Sequence, residues 1–199
     1  MNLDEYRTVF VSSGLILGLI VAAPALSFYL PFSGGSERFS EFWLLGPGHM
    51  AEDYPFDVSA DEGYLVYVGV GNHMGSSVQY SVRVKFRNQS ELLPNATAGT
   101  PSPLPLLYEY RVFLEDGKTW EAPLTFAFSG VSFVENRSLV ENLVINDYVF
   151  TVDKLALWDG ENNGFYYQLF VELWIYEVAS DRFEYHNRFV GIWLNMTGV

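Results

Sequence analysis

Asp159, Glu161 and Asn163 stand at alternate positions ahead of Gly164, so three oxygen-bearing side chains fall within one short segment. Calcium loops draw about six to eight oxygens from such spacing, with a sharp turn at the glycine and a bidentate acid at the twelfth position. Counted from Asp159, the twelfth residue is Phe170, and Glu172 lies two further on. The segment therefore reads either as the first half of a calcium loop or as a hairpin turn, and no complete metal site is expected. His49, His73 and His186 lie in distant segments and make no i,i+4 pair. Without cysteine, thiolate zinc, iron–sulfur and thiol chemistry are excluded. Gly69 and Gly71 flank a valine inside a strand pattern and lack the third glycine of a dinucleotide fingerprint. Among the 24 acidic residues no pair is marked by context as buried together. The expectation is a protein with no catalytic residue and no cofactor.

Two further sets of side chains carry information. Asn88, Asn95, Asn136 and Asn195 each open an N-x-Ser/Thr sequon. Chance predicts about one such tripeptide from this composition, and an excess favours an exported, glycosylated domain. In the run 165–177 one face carries Phe165, Tyr167, Leu169, Val171, Leu173 and Ile175. The other carries Tyr166, Gln168, Phe170, Glu172, Trp174 and Tyr176. A sandwich strand needs one apolar face, so Tyr166, Phe170, Trp174 and Tyr176 are candidate interface residues for another subunit, a glycan or a membrane. A loop or strand covering that face is the competing expectation.

These groups need elements to position them. Residues 9–32, which start at Val9 and end at Phe32, contain no charge. As a helix they would span about 36 Å, enough for a bilayer core. A single transmembrane anchor is expected there, after a cytoplasmic segment 1–8 and before a Gly/Ser linker 33–40. Thereafter the chain reads as strands. Residues 64–71 are apolar throughout, as in a strand covered on both faces. Val78, Tyr80, Val82, Val84 and Phe86 alternate with Gln79, Ser81, Arg83 and Lys85, as in a half-buried strand. A Pro/Gly/Thr-rich stretch at 91–105 predicts an exposed loop. Strand patterns resume at 107–114, 120–128, 143–152, 165–177 and 183–194. Seven or eight strands without an amphipathic helix predict an all-β, immunoglobulin-like antiparallel β-sandwich over 41–199.

The net charge of −13 speaks against a nucleic-acid partner, because a phosphate-tracking surface needs clustered cations. Residues 1–32 contribute −1 (two acids, one arginine), leaving −12 on the remainder, as suits a solvated outer surface.

The residues Phe39 to Gly46, Tyr54-Pro55, Asn72-His73, Tyr80, Val82 and Val84, and the closing stretch from Phe189 to Thr197, together resemble the family known as domain of unknown function 1616. The resemblance runs over roughly 39–195. It implies a membrane-anchored, mainly archaeal protein with an extracytoplasmic β-domain, and no established activity. Members often have several membrane helices, where this chain has one such segment, and Met74 stands where an acid often follows Asn-His. The expected function is a non-enzymatic, single-pass surface protein, N-terminus cytoplasmic and C-terminal domain extracellular. It would serve as a structural or accessory subunit of a membrane or envelope assembly. The alternatives are a module binding envelope polysaccharide and, third, an envelope hydrolase or transferase.

Overall fold

The computed structural model describes residues 6–7, 11–18 and 37–197. The chain divides into two units, Met1–Arg38 and Phe39–Val199. In the first, residues 11–18 are helical and exposed. Most of the expected anchor 9–32 lies outside the described residues, among which no helix is long and apolar enough to cross a membrane.

The second unit is built of strands: β1 (Phe39–Leu45), β2 (Asp57–Val58), β3 (Gly63–His73), β4 (Val78–Asn88), β5 (Tyr108–Leu114), β6 (Thr119–Val134), β7 (Arg137–Ile145), β8 (Tyr148–Asp159), β9 (Gly164–Glu177) and β10 (Arg182–Met196). They form one curled sheet. The ladder β1-β3-β6-β7-β8 is continuous with β9-β10-β2 through two residue pairs only, Trp158 with Phe165 and Asp159 with Gly164. Strand β4 pairs with β9 on one side and β5 on the other. Every pairing is antiparallel except β10 with β2.

Alternation explains the curl. Val66, Val68 and Val70 of β3, Tyr80, Val82, Val84 and Phe86 of β4, Leu124, Phe126 and Phe128 of β6, and Leu169, Val171 and Leu173 of β9 point to one side and are fully or almost fully buried. The halves of the sheet meet there: Phe86 lies 5.6 Å from Phe128 and 5.4 Å from Tyr167, ring centre to ring centre. The Tyr167 hydroxyl donates to the Ser138 carbonyl on β7 at 2.7 Å.

The outer surface of β3 is covered as its composition predicts. Gly69 carries no Cβ because the Trp43 indole of β1 lies across it, and a methyl there would fall inside the ring. Trp43 Nε1 then donates to Glu121 at 3.1 Å.

Several boundaries differ from the sequence reading. Strand β1 begins at Phe39, inside the expected linker. The pattern at 143–152 is two strand ends and not one strand: Asn146 and Asp147 take φ 45° and 68°, closing the hairpin between β7 and β8. Such a turn leaves apolar residues on both sides, so the pattern runs through it without a break. Strand β6 runs past Phe128 to Val134, bending at Gly130 with φ 65°. The largest difference is on β4. Most of its polar face is shut off from water: Ser81, Lys85 and Arg87 are buried and Arg83 is half-buried, while Gln79 at its start stays exposed.

Candidate binding cleft

The chain between β4 and β5 covers that polar face as a strap. Lys85 Nζ lies 3.0 Å from the Glu172 carboxylate and donates to the Ser102 carbonyl at 2.7 Å. Glu172 accepts from the Ser102 backbone N–H at 2.7 Å and from Trp174 Nε1 at 3.0 Å. Arg83 lies over the Trp174 ring at 3.8 Å, and burial lowers its pKa from the ordinary value. The strap residues 95–100 remain exposed, as expected, but Pro94 and Ser102 are buried.

This arrangement redistributes the expected interface residues. Phe170 is completely buried, so no partner reaches it; that assignment is corrected by the strap and by Gly191, whose backbone abuts Phe170. Trp174 is held between Arg83 and Tyr185, at 5.8 Å from the latter. Tyr176 bonds Asp181 and meets Phe183 edge-on. Tyr166 is separate from these and lines an open cleft.

The cleft, of 410 Å³, is lined by Phe56, Gln89, Asp159, Asn162, Tyr166 and Trp193. Four elements bring them together. The register places Asn195 opposite Tyr166 and Trp193 opposite Gln168, so Tyr166 and Trp193 are diagonal neighbours on the outer face of β9 and β10. Arg87, opposite Gln168 on β4, donates to its Oε1 at 2.8 Å and sits 4.9 Å from the Trp193 ring, fixing that ring from beneath. Phe56 is delivered by the approach to β2: Asn195 N–H donates to the Phe56 carbonyl at 2.6 Å, leaving the Phe56 ring 6.2 Å from Tyr166. Gln89, just past β4, donates to the Leu157 carbonyl at 2.7 Å, and its Oε1 has no donor among the described residues.

The fourth element is the β8–β9 turn. Asp159 Oδ1 accepts from the backbone N–H groups of Glu161 and Asn162, and Oδ2 accepts from Asn162 Nδ2 at 2.9 Å. The Asn162 bonds hold the Asp159 carboxyl below its ordinary pKa. Asn163 takes φ 56°. Asp159 thus caps the hairpin, and among the described residues no group of three or more His, Cys, Asp or Glu side chains gathers there. The histidines are also dispersed: His49 pairs with Glu121 at 2.6 Å, His73 with Glu41 at 3.5 Å, and His186 lies half-buried on β10.

The sequons differ in their surroundings. Asn88 Nδ2 donates to the Leu155 carbonyl while its Oδ1 accepts from Ser90 and Glu91. Asn195 joins Asp57 and the Phe165 N–H. Asn95 and Asn136 are exposed. Phe56, Gln89 and Trp193 escaped the sequence reading because they come from three separate segments with no shared spacing. The signals pointing to the cleft were the doubled aromatic face of 165–177, which holds Tyr166, and the oxygen-rich turn that opens at Asp159.

The residues of the sequence resemblance prove to be supports of the fold. Tyr54 donates to the Leu44 carbonyl at 2.7 Å. Asn72 Nδ2 holds the Ser76 and Leu114 carbonyls, both at 2.9 Å, and the Tyr80 hydroxyl lies 2.8 Å from Ser40 Oγ and 3.2 Å from Asn72 Oδ1.

No curated protein matches the chain. Among solved structures it is similar to the β-glucosidase from Listeria innocua in complex with glucose, at 11% identity and a TM-score of 0.40 over 80% of this chain. The match spans only 16% of that enzyme. It is also similar to the CARDB domain of the PF1109 protein of Pyrococcus furiosus in complex with di-metal ions, at 11% identity and a TM-score of 0.37, over 80% of this chain and 90% of that domain. The family described as domain of unknown function DUF1616 matches residues 33–133, a stretch that holds Tyr54, Asn72 and Tyr80. The chain belongs to the DUF1616 family.

Proposed function

We propose that this is a non-enzymatic surface protein, anchored through residues 9–32, whose extracellular immunoglobulin-like β-sandwich binds envelope saccharide in the cleft. One observation carries the reading: three aromatic rings converge on the same open cleft as the amides of Gln89 and Asn162 and the carboxylate of Asp159. Aromatic faces stack on the C–H faces of pyranose rings, and amides and carboxylates pair with hydroxyls, so this mixture suits a sugar better than a purely apolar ligand. The uncharged stretch 9–32 and the four sequons support the anchor and an outside location, and the family resemblance supports an archaeal source. The full-length protein in detergent, screened against envelope polysaccharides, is expected to bind at least one. Trp193→Ala should weaken that binding about tenfold or more while the fold persists. Silence across the polysaccharides, or binding indifferent to Trp193, overturns the reading.

The structural or accessory-subunit reading draws support from a different feature. Among the described residues no strand pairs with the outer edge of β8 over 148–153, where Tyr148 and Val149 are exposed. An open edge is a template for a strand of another protein. Crosslinking in native membranes should then recover a fixed partner at β8. An envelope hydrolase or transferase stands third; turnover of a bound polysaccharide by the purified chain would bring it forward.

A further inference from the structure

The hairpin joining β6 to β7 ends in Glu135 and Asn136, with Glu135 at φ 53° and Val134 opposite Arg137. Both faces of its tip carry exposed apolar side chains, with the exposed Arg137 between Val134 and Leu157 on one of them. Val134 and Leu157, on one face in register with Arg137, are 64% and 56% exposed. Phe133 and Trp158, on the other, are 39% and 45% exposed, and both rings pack on Phe165. The Trp158 backbone N–H donates to the Asn136 carbonyl at 2.9 Å, which ties the turn to the end of β8. Asn136 therefore stands at the turn between two faces that each carry two exposed apolar side chains, next to Trp158. Its side-chain amide makes no hydrogen bond among the described residues, in contrast to Asn88 and Asn195, whose amides are committed to the fold. An apolar patch of this kind on an extracellular surface calls for a cover.

We propose that Asn136 carries an N-linked saccharide that packs against the exposed apolar side chains beside it at the tip, beginning with Trp158, and shields them. The occupant is fixed by position: the sequon at the tip has a free side-chain amide, and sugar C–H faces pack on the neighbouring Trp158 indole and on aliphatic side chains. The order of events follows from Ser138, the hydroxyl residue of this sequon. It is fully buried, and its carbonyl and Oγ lie 2.7 and 3.3 Å from the Tyr167 hydroxyl. The tripeptide is accessible only before β7 closes against β9, so transfer precedes folding. In that step Asn136 Nδ2 attacks the anomeric carbon of a saccharide carried on a lipid phosphate. The C–N bond forms, the anomeric C–O bond to phosphate breaks, the phosphate leaves with the electron pair, and the amide loses one proton to solvent. The inference rests on the extracellular placement proposed above and not on the cleft.

Glycopeptide mapping of the full-length protein from a glycosylation-competent envelope tests it. Asn136 should be modified. Asn136→Gln, at an exposed turn, should lose that mass, keep its melting temperature within a few degrees, and bind severalfold more of an apolar dye such as anilinonaphthalene sulfonate. An unmodified Asn136 overturns the proposal: alongside a modified Asn95 the extracellular reading survives, and with every sequon bare it falls too. A modified Asn136 whose loss leaves dye binding unchanged overturns the shielding. A protein crosslinked to the unmodified tip would identify a subunit as the cover instead.

Discussion

Glu172 and Lys85 face each other at 3.0 Å on adjacent strands, both buried, on the side of the sheet turned away from the aromatic core. The pair converts an outer face into a second interior by drawing Ser102, and with it the strap, onto β4 and β9. Removing one member of a buried ion pair leaves the other charge without compensation, which costs about 3–5 kcal/mol. Glu172→Ala is expected to lose that much in urea unfolding and to expose the strap to proteolysis near Ser102. A loss below about 1 kcal/mol, the range of exposed ion pairs, would show that water reaches the site.

Tyr80 ties together β1 and the end of β3 by a single hydroxyl, set between Ser40 and Asn72. Burial raises its pKa from the ordinary value. Tyr80→Phe keeps the ring in the core but leaves the buried Ser40 hydroxyl unpaired. A buried polar group without a partner costs about 1–3 kcal/mol. Chemical denaturation should register a loss in that range, with hydrogen exchange of β1 accelerating before that of β9.

The strands were legible where one face alternates cleanly, as on β4, and their turns where glycine marks them, as at Gly117 with φ 72°. The hairpin at Asn146 was missed because Val144 and Ile145 on one side and Tyr148 and Val149 on the other continue an apolar run. The strap was legible as a loop but not as a cover. Its Pro, Gly and Thr content speaks of irregular backbone, and nothing local shows that Ser102 reaches Glu172, 70 residues away. The cleft was the least visible feature. Tyr166 drew notice through its own strand, whereas Phe56 and Trp193 meet it only through the pairing of β2, β9 and β10.

Gly69 and Trp43 form a steric pair on the opposite half of the sheet. Gly69→Ala forces the indole off β3 and breaks its bond to Glu121. The indole N–H is the main cause holding the Glu121 carboxyl below its ordinary pKa, with His49 also lowering it, so that depression should shrink. Overpacking of this sort costs about 1–3 kcal/mol. Tryptophan fluorescence should shift to the red as Trp43 becomes hydrated; an unchanged spectrum would mean that the ring has another seat.

His186 gives the fold an acid-side weakness. Burial lowers its pKa below 6.5, and the nearby Arg188 charge lowers it further. Its Nε2 is enclosed without a partner among the described residues. The unfolded chain, with His186 at its ordinary pKa, therefore binds a proton that the folded chain resists, and stability rises with pH wherever the unfolded state holds more protons. The contribution of His186 is complete above the unfolded pKa of 6.5 and is lost as pH falls from there through the lowered folded value. His186→Gln cannot take up that proton. Unfolding free energies measured at intervals from about pH 7.5 to pH 5 should decline less steeply for this variant than for the parent. Parallel curves would place the acid sensitivity on groups other than His186.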